Sequence, residues 1–313
     1  SFMTLQHLLV PTDFSVHADA ALDHAVLLAD RFDATLHLLH VVNDPGAGWY
    51  GLGDAEVQID RLKKEAEAKA RERLDDMAPD PSVVEVRTAV AQRPNLDVAD
   101  AIQEYVAGHP IDFVVMGTHG RQGLGRLVLG SVANRLIRRT ACPVLTVRER
   151  AEDGDGAPDV GYENLLAPVD FSEHARTALR LCKEIAGRYE ATQHLLFVAE
   201  KRVLPTFSDT GIPGVGVVEM DPDIVANAEG ALEQLNGTVG GPEVPSAYHV
   251  EKGDVAQVII DFAEANAIDL IVMATRGLTG IDRFVLGSNT ERVVRAAPCP
   301  VLTVPPSRDE EEA

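Results

Sequence analysis

The residues in this sequence best suited to chemistry are small ones at a fixed spacing. Gly117-Thr118-His119-Gly120 is followed, nine residues later, by Gly130-Ser131, which gives the pattern G-x2-G-x9-G-S. Glycines at Gly117 and Gly120 would let backbone N–H groups close on a ligand without obstruction by a Cβ. Gly130 and Ser131 sit where the next helix is expected to start. A helix N-terminus offers N–H donors and the positive end of a dipole. Ser131 adds a hydroxyl, and His119, Arg121 and Arg126 bring local positive character. Such a set suits phosphate oxygens. The competing reading is a loop whose glycines only shape tight turns; placement between a strand and a helix favours the first.

A second version reads Ala274-Thr275-Arg276-Gly277, then nine residues to Gly287-Ser288. Ala274 carries a methyl group where the first version has none. If the position needs a positive φ, alanine is strained there by about 1 kcal/mol; if it does not, little changes. Asp13 and Asp170 each close an apolar run. They read as acceptors for ribose hydroxyls or an adenine amino group, or as turn aspartates, and the two roles are compatible.

Both loops belong to a repeat. One offset, the 157 residues between Asp13 and Asp170, recurs three times. It relates Val10–Ser15 to Ala167–Ser172, Ile111–Met116 to Ile268–Met273, and Cys142–Val147 to Cys299–Val304. Three matched blocks at one offset mark a duplication. The middles diverge, with insertions around Ala89–Leu96 and Val203–Val218. The expected organisation is one domain over 3–148, a polar acidic linker over 149–162, a second domain over 163–305, and an acidic tail over 306–313.

The elements that must position these residues alternate. In the first half the expected strands are Leu8–Val10, Leu36–Val42, Val83–Val90, Phe113–Gly117 and Val144–Val147. Helices are expected after Ser15, over Asp60–Met77, over Asp97–Ala107 and over Val132–Arg139. Ala18, Ala21, Leu22, Ala25, Leu28, Ala29 and Phe32 form one helical face. Its repeat is Ala175, Ala178, Leu179, Cys182, Ile185, Ala186 and Tyr189. Alternating strands and helices imply two tandem α/β domains, each an open five-stranded parallel sheet with helices on both faces. Ligands bind such sheets beyond the carboxyl ends of the strands. The motifs lie at the ends of the first and fourth strands.

Composition narrows the function. The formal net charge of −21 argues against non-specific nucleic-acid or anionic-membrane binding. An acidic, lysine-poor chain fits a high-salt cytoplasm or, equally, a GC-rich genome. The three cysteines, Cys142, Cys182 and Cys299, have no disulfide or metal spacing and read as buried thiols of a reducing compartment. No HExxH or paired-ligand spacing occurs among the ten histidines, and His37 and His40 read as core or edge residues. No charged segment followed by an apolar one opens the sequence, so a cytoplasmic protein without a signal peptide is expected.

In combination, Pro-Thr-Asp-Phe-Ser at 11–15, Val-Val-Met-Gly-Thr-His-Gly at 114–120, Leu-Gly-Ser-Val at 129–132 and Cys-Pro-Val-Leu-Thr-Val at 142–147 resemble the universal stress protein family. The resemblance spans nearly the whole chain, twice. It implies an adenine nucleotide alpha hydrolase-like, Rossmann-like sheet of strand order 3-2-1-4-5. One branch of the family binds ATP through G-x2-G-x9-G-[ST], which the first half matches fully. Carried over by position, it implies that Pro11, Thr12 and Asp13 lie beside the adenosine and that the backbone near Val41 reads the adenine edge. Met116, Gly117, His119, Gly120, Gly130, Ser131 and Val132 would wrap the phosphates. In the second half the matched positions are Pro168, Val169, Asp170, Val198, Met273, Ala274, Gly277, Gly287, Ser288 and Asn289. Val169 replaces Thr12, Arg276 replaces His119 and Ala274 replaces Gly117. The resemblance also implies pairing through the last strands, Val144–Val147 and Val301–Val304, as an intramolecular pseudo-dimer, with a homodimer of whole chains as the alternative.

The function expected is that of an ATP-binding stress-response protein with little or no turnover, holding ATP (or ADP or AMP), with Mg carried by the phosphates rather than by protein side chains. There is no P-loop lysine and no carboxylate evidently placed to activate water. A slow ATPase using His119, and a scaffold with structural nucleotide, are the alternatives. The protein client is not named by the sequence.

Overall fold

The computed structural model describes residues 5–42, 55–92, 97–118, 129–148, 161–200, 202–207, 213–218, 222–276 and 286–306. The chain divides into two units, Ser1–Val160 and Gly161–Ala313. The first runs β1 (His7–Pro11), α1 (Val16–Phe32), β2 (Thr35–Val42), α2 (Ala55–Met77), β3 (Val86–Gln92), α3 (Val98–Gly108), β4 (Phe113–Gly117), α4 (Ser131–Arg139) and β5 (Val144–Val147). Its strands pair in parallel in the order β3-β2-β1-β4-β5. Consecutive residues Leu8, Leu9 and Val10 are all buried, as are Phe113 to Met116. Successive strand side chains point to opposite faces, so both faces of the sheet are covered.

The second unit runs β6 (Asn164–Pro168), α5 (Glu173–Tyr189), β7 (Thr192–Ala199), β8 (Arg202–Phe207), β9 (Pro213–Val218), α6 (Pro222–Thr238), β10 (Ser246–Lys252), α7 (Val255–Ala265), β11 (Leu270–Ala274), α8 (Ser288–Ala296) and β12 (Val301–Val304). Its parallel order, β10-β7-β6-β11-β12, repeats that of the first. The expected parallel strand order, 3-2-1-4-5, is therefore present twice, once in each unit.

Helices α1 and α5 follow one recipe. Ser15 and Ser172 adopt extended backbone at the N-caps, and their hydroxyls accept from Ala18 N and Ala175 N. The chain leaves each helix through a left-handed residue, Asp33 and Glu190. The buried faces are dominated by alanine and leucine: Ala18, Ala21, Leu22, Ala25, Leu28 and Ala29 in α1. Alanines allow a helix to lie close to a sheet. α6 has no basic residue in its last turn, and a cation from elsewhere supplies one. Buried Lys183, on α5, donates to the carbonyls of Asn236 and Val239, both at 3.1 Å.

One expectation is corrected and one is filled in. The third strand starts at Val86, not Val83. Asp80 makes a tight turn, its carboxylate accepting from Ser82 N at 2.8 Å and its carbonyl from Val83 N at 2.9 Å. Val83 is consequently 52% exposed while Val84 is buried. The divergent segment around Val203–Val218 also forms an antiparallel pair, β8 with β9, which has no counterpart among the described strands of the first unit.

All three cysteines are buried, and burial pushes each thiol up to about 12. The thiolate is the reactive form. Iodoacetamide at pH 8 is therefore expected to leave Cys142, Cys182 and Cys299 unmodified in the folded chain and to modify all three in urea, as read by intact mass. Rapid labelling of the native protein would contradict this. Among the described residues, no helix is long and apolar enough to cross a membrane, and no group of three His, Cys, Asp or Glu side chains is placed to hold a metal.

Candidate functional site

The strand order brings the distant motifs together. β1 pairs with β4 through Leu8–Phe113 and Leu9–Val114, and with β2 up to Pro11–Leu39. The carboxyl ends of β2, β1 and β4 thus lie side by side. Thr12 N donates to Leu39 O at 2.8 Å, which anchors the Thr12–Asp13 turn beside the end of β2. Val41 lies two residues beyond Leu39 on that strand. Past β4, Gly130 N donates to Thr118 O at 2.8 Å, so the start of α4 is tied to the first residue after Gly117. Pro11, Thr12, Asp13, Val41, Met116, Gly117, Gly130, Ser131 and Val132 accordingly converge at one end of the sheet. The second unit repeats the anchors through Val169 N to Leu196 O and Gly287 N to Thr275 O. Pro168, Asp170, Val198, Met273, Ala274, Ser288 and Asn289 sit at the matching places. His119, Gly120 and Gly277 lie outside the described residues.

The helix starts differ in one respect. The side chains of Ser15, Asp97, Ser172 and Asp254 cap α1, α3, α5 and α7. α4 and α8 begin instead at Gly130 and Gly287, in extended backbone, with no side-chain cap. The first turn of a helix carries N–H groups without intrahelical partners. At the end of β4, and again of β11, those donors are left to something other than a capping side chain.

The aspartates have a structural duty. Asp13 Oδ1 accepts from Ser15 N at 3.1 Å, and Asp170 Oδ1 accepts from Ser172 N at 3.0 Å and from its hydroxyl at 2.6 Å. Both hold the turn into the following helix. Between each aspartate and serine lies a phenylalanine at positive φ, Phe14 at 61° and Phe171 at 62°. Large side chains rarely adopt this region, and the sequence offered no sign of it.

Gly117 has a different reason from the one its motif suggests. Neither Gly117 nor Ala274 is among the residues at positive φ. A Cβ added at Gly117 would lie 2.8 Å from the carbonyl oxygen and 3.0 Å from the Cβ of His17, in the first turn of α1. The missing methyl lets α1 approach β4. At the matching position of the second unit, the carbonyl of Ala274 accepts from the buried Thr290 hydroxyl at 3.0 Å, where the first unit has Ala133.

Another pair of positions repeats outside the glycine loops. Arg135 reaches Asp97, and Arg292 reaches Asp254, each at 2.8 Å. These exposed pairs join the caps of α3 and α7 to α4 and α8, the helices that start at Gly130 and Gly287. Arg292 and the amide of Gln257 hold the Asp254 carboxyl below its ordinary value.

An open parallel sheet with helices on its faces and the matched motifs at the carboxyl ends of its central strands defines the class: a doubly wound α/β protein, duplicated. The family model described as the Universal stress protein family matches residues 4–148 and again 161–305. The chain belongs to the universal stress protein family. It is 26% identical over 309 residues to a universal stress protein of Mycolicibacterium smegmatis, covering 96% of this chain and 97% of that one. It is 34% identical over 143 residues to one of Methanocaldococcus jannaschii, covering 45% of this chain and 81% of the relative. The crystal structure of a universal stress protein from Archaeoglobus fulgidus shares the fold at a TM-score of 0.69 and 21% identity, over 98% of this chain and 99% of that one.

Proposed function

We propose that this chain is an adenine-nucleotide-binding regulatory protein of the stress response that holds ATP, ADP or AMP with little or no turnover. The observation that carries the reading is the pair of helix starts without side-chain caps, at Gly130 and Gly287, each tied to the residue that follows β4 or β11. Uncapped N–H groups with a positive dipole end recognise phosphate oxygens. Ser131 and Ser288 add hydroxyls in the same turns, and Asp13 and Asp170 stand across the cleft on the β1 and β6 side, where a ribose would lie. Mg would enter with the phosphates. The first unit is the tighter site, because its motif is complete.

Mass spectrometry of the purified chain and calorimetry with ATP, ADP and AMP test this. Nucleotide is expected to bind, more tightly in the first unit. Gly130 has φ −58° and ψ 147°, a conformation open to valine, so Gly130→Val keeps the fold while crowding the helix start. It is expected to weaken the first site at least about ten-fold, the scale of one or more lost hydrogen bonds to a charged group. No binding of any of the three nucleotides, or equal affinities at both sites, would count against the proposal. ADP release in seconds that depends on His119 would favour an ATPase instead.

A further inference from the structure

Phe14 is held on two sides. Its ring lies 4.4 Å from that of His40, on β2, and the Arg73 guanidinium, on α2, stands 4.0 Å over its centroid. The turn is pinned further by Phe14 N donating to Thr12 Oγ1 at 2.9 Å and by His40 Nδ1 meeting Thr12 O at 2.7 Å. The second unit has the same positive φ, with fewer contacts described around the phenylalanine itself. Val169 offers Phe171 N no hydroxyl, the ring partner is Phe197 at 5.3 Å, and α6 contains no lysine or arginine. A left-handed phenylalanine persists only where its surroundings hold it. Its φ sets the direction of the chain between Asp13 and Ser15, and so the place of the Asp13 carboxylate.

We propose that Arg73 is a positioning residue for the cleft of the first unit: stacked on Phe14, it holds the strained turn and thereby presents Asp13 to the ribose and base of the nucleotide. It touches the ligand only through that turn. Among the described residues of the second unit no arginine stands over Phe171, and its turn is the looser one. The proposal rests on the nucleotide-binding reading above, and the test separates the two.

Three variants of the full chain are compared: Arg73→Met, which keeps the aliphatic stem, Arg73→Lys, which keeps a cation, and His40→Phe, which copies the second unit. The first readout needs no nucleotide. Hydrogen–deuterium exchange across residues 10–16 is expected to run about three- to ten-fold faster in Arg73→Met, the range for one exposed cation–aromatic contact and its attached turn, with the matched segment 167–173 unchanged. His40→Phe is expected to have an effect in the same direction, and Arg73→Lys to restore most of the protection. The second readout is calorimetry. ATP affinity at the first site is expected to fall about three- to ten-fold in Arg73→Met and to recover in Arg73→Lys, with the second site constant. Unchanged exchange at residues 10–16 overturns the proposal, whether or not nucleotide binds. A loss of affinity shared equally by both sites, or one not rescued by lysine, overturns it too. If the parent chain binds no nucleotide while the exchange effect appears, the positioning of the turn stands and the nucleotide reading falls.

Discussion

Gly117→Ala is expected to destabilise the first unit by about 1–3 kcal/mol, the usual cost of forcing an extra methyl into a packed interior. The new Cβ would meet backbone atoms of His17 at 2.8 and 3.0 Å, and backbone has no rotamer by which to withdraw. The helix itself must move. α1 packs its alanine face on β1, β4 and neighbouring strands, so a shift loosens the unit's central layer and displaces the Asp13 turn that leads into the helix. The reverse change, Ala274→Gly, is expected to cost less than about 1 kcal/mol, mainly through added freedom of the unfolded chain. Hydrogen exchange in urea, resolved by unit, measures both. Equal resistance of Gly117→Ala and the parent would show that the contact relaxes freely.

Acidification below about pH 6.5 is expected to weaken both units, and in the first unit the loss continues to about pH 4. His37 is 1% exposed and lies in a chain of side chains at the amino ends of the strands, opposite the cleft. Its Nε2 meets His7 Nδ1 at 3.2 Å and its Nδ1 meets the Tyr105 hydroxyl at 2.9 Å, while His109 stacks on Tyr105. Burial, then His7, Arg87 and His109, lower its pKa to about 4; Glu85 opposes them. The fold therefore keeps the ring neutral. The unfolded chain takes up a proton near the ordinary value of 6.5, so between those values unfolding binds protons and stability falls with pH. In the second unit His194 and His249 are in contact at 3.1 Å; both are lowered, chiefly by burial, with Glu251 and Glu229 acting against the shift at His249. The urea midpoint should decline over that window, and His37→Gln should flatten the decline for the first unit. A midpoint constant from pH 7 to 4.5 would refute the argument.

The parts of this structure that were legible in sequence share a local cause. β1 and β4 are short apolar runs, α1 has a serine cap and a helical alanine–leucine face, and the glycine loops sit between strand and helix. The repeat supplied the rest of the topology, since each element needed reading only once. Features made by distant partners were silent. His17 and Gly117 are a hundred residues apart, and nothing in either neighbourhood announces their contact. The same holds for the link of His37 to His7 and Tyr105, and for Arg73 over Phe14. The missed start of β3 is a local error of another kind: three valines suggested a strand, and one aspartate turn outweighed the first of them.

The end of the fourth strand and the helices packed there show what the duplication has become. One unit brings α1 against β4 by omitting a methyl at Gly117, and the other ties β11 to α8 through the Thr290 hydroxyl. Each solution involves at least two segments that must change together. A chimera that moves the loop of one unit into the other would import half of a fit and leave its complement behind. The two copies keep the proposed site at the same place in the fold, yet they are no longer spare parts for one another.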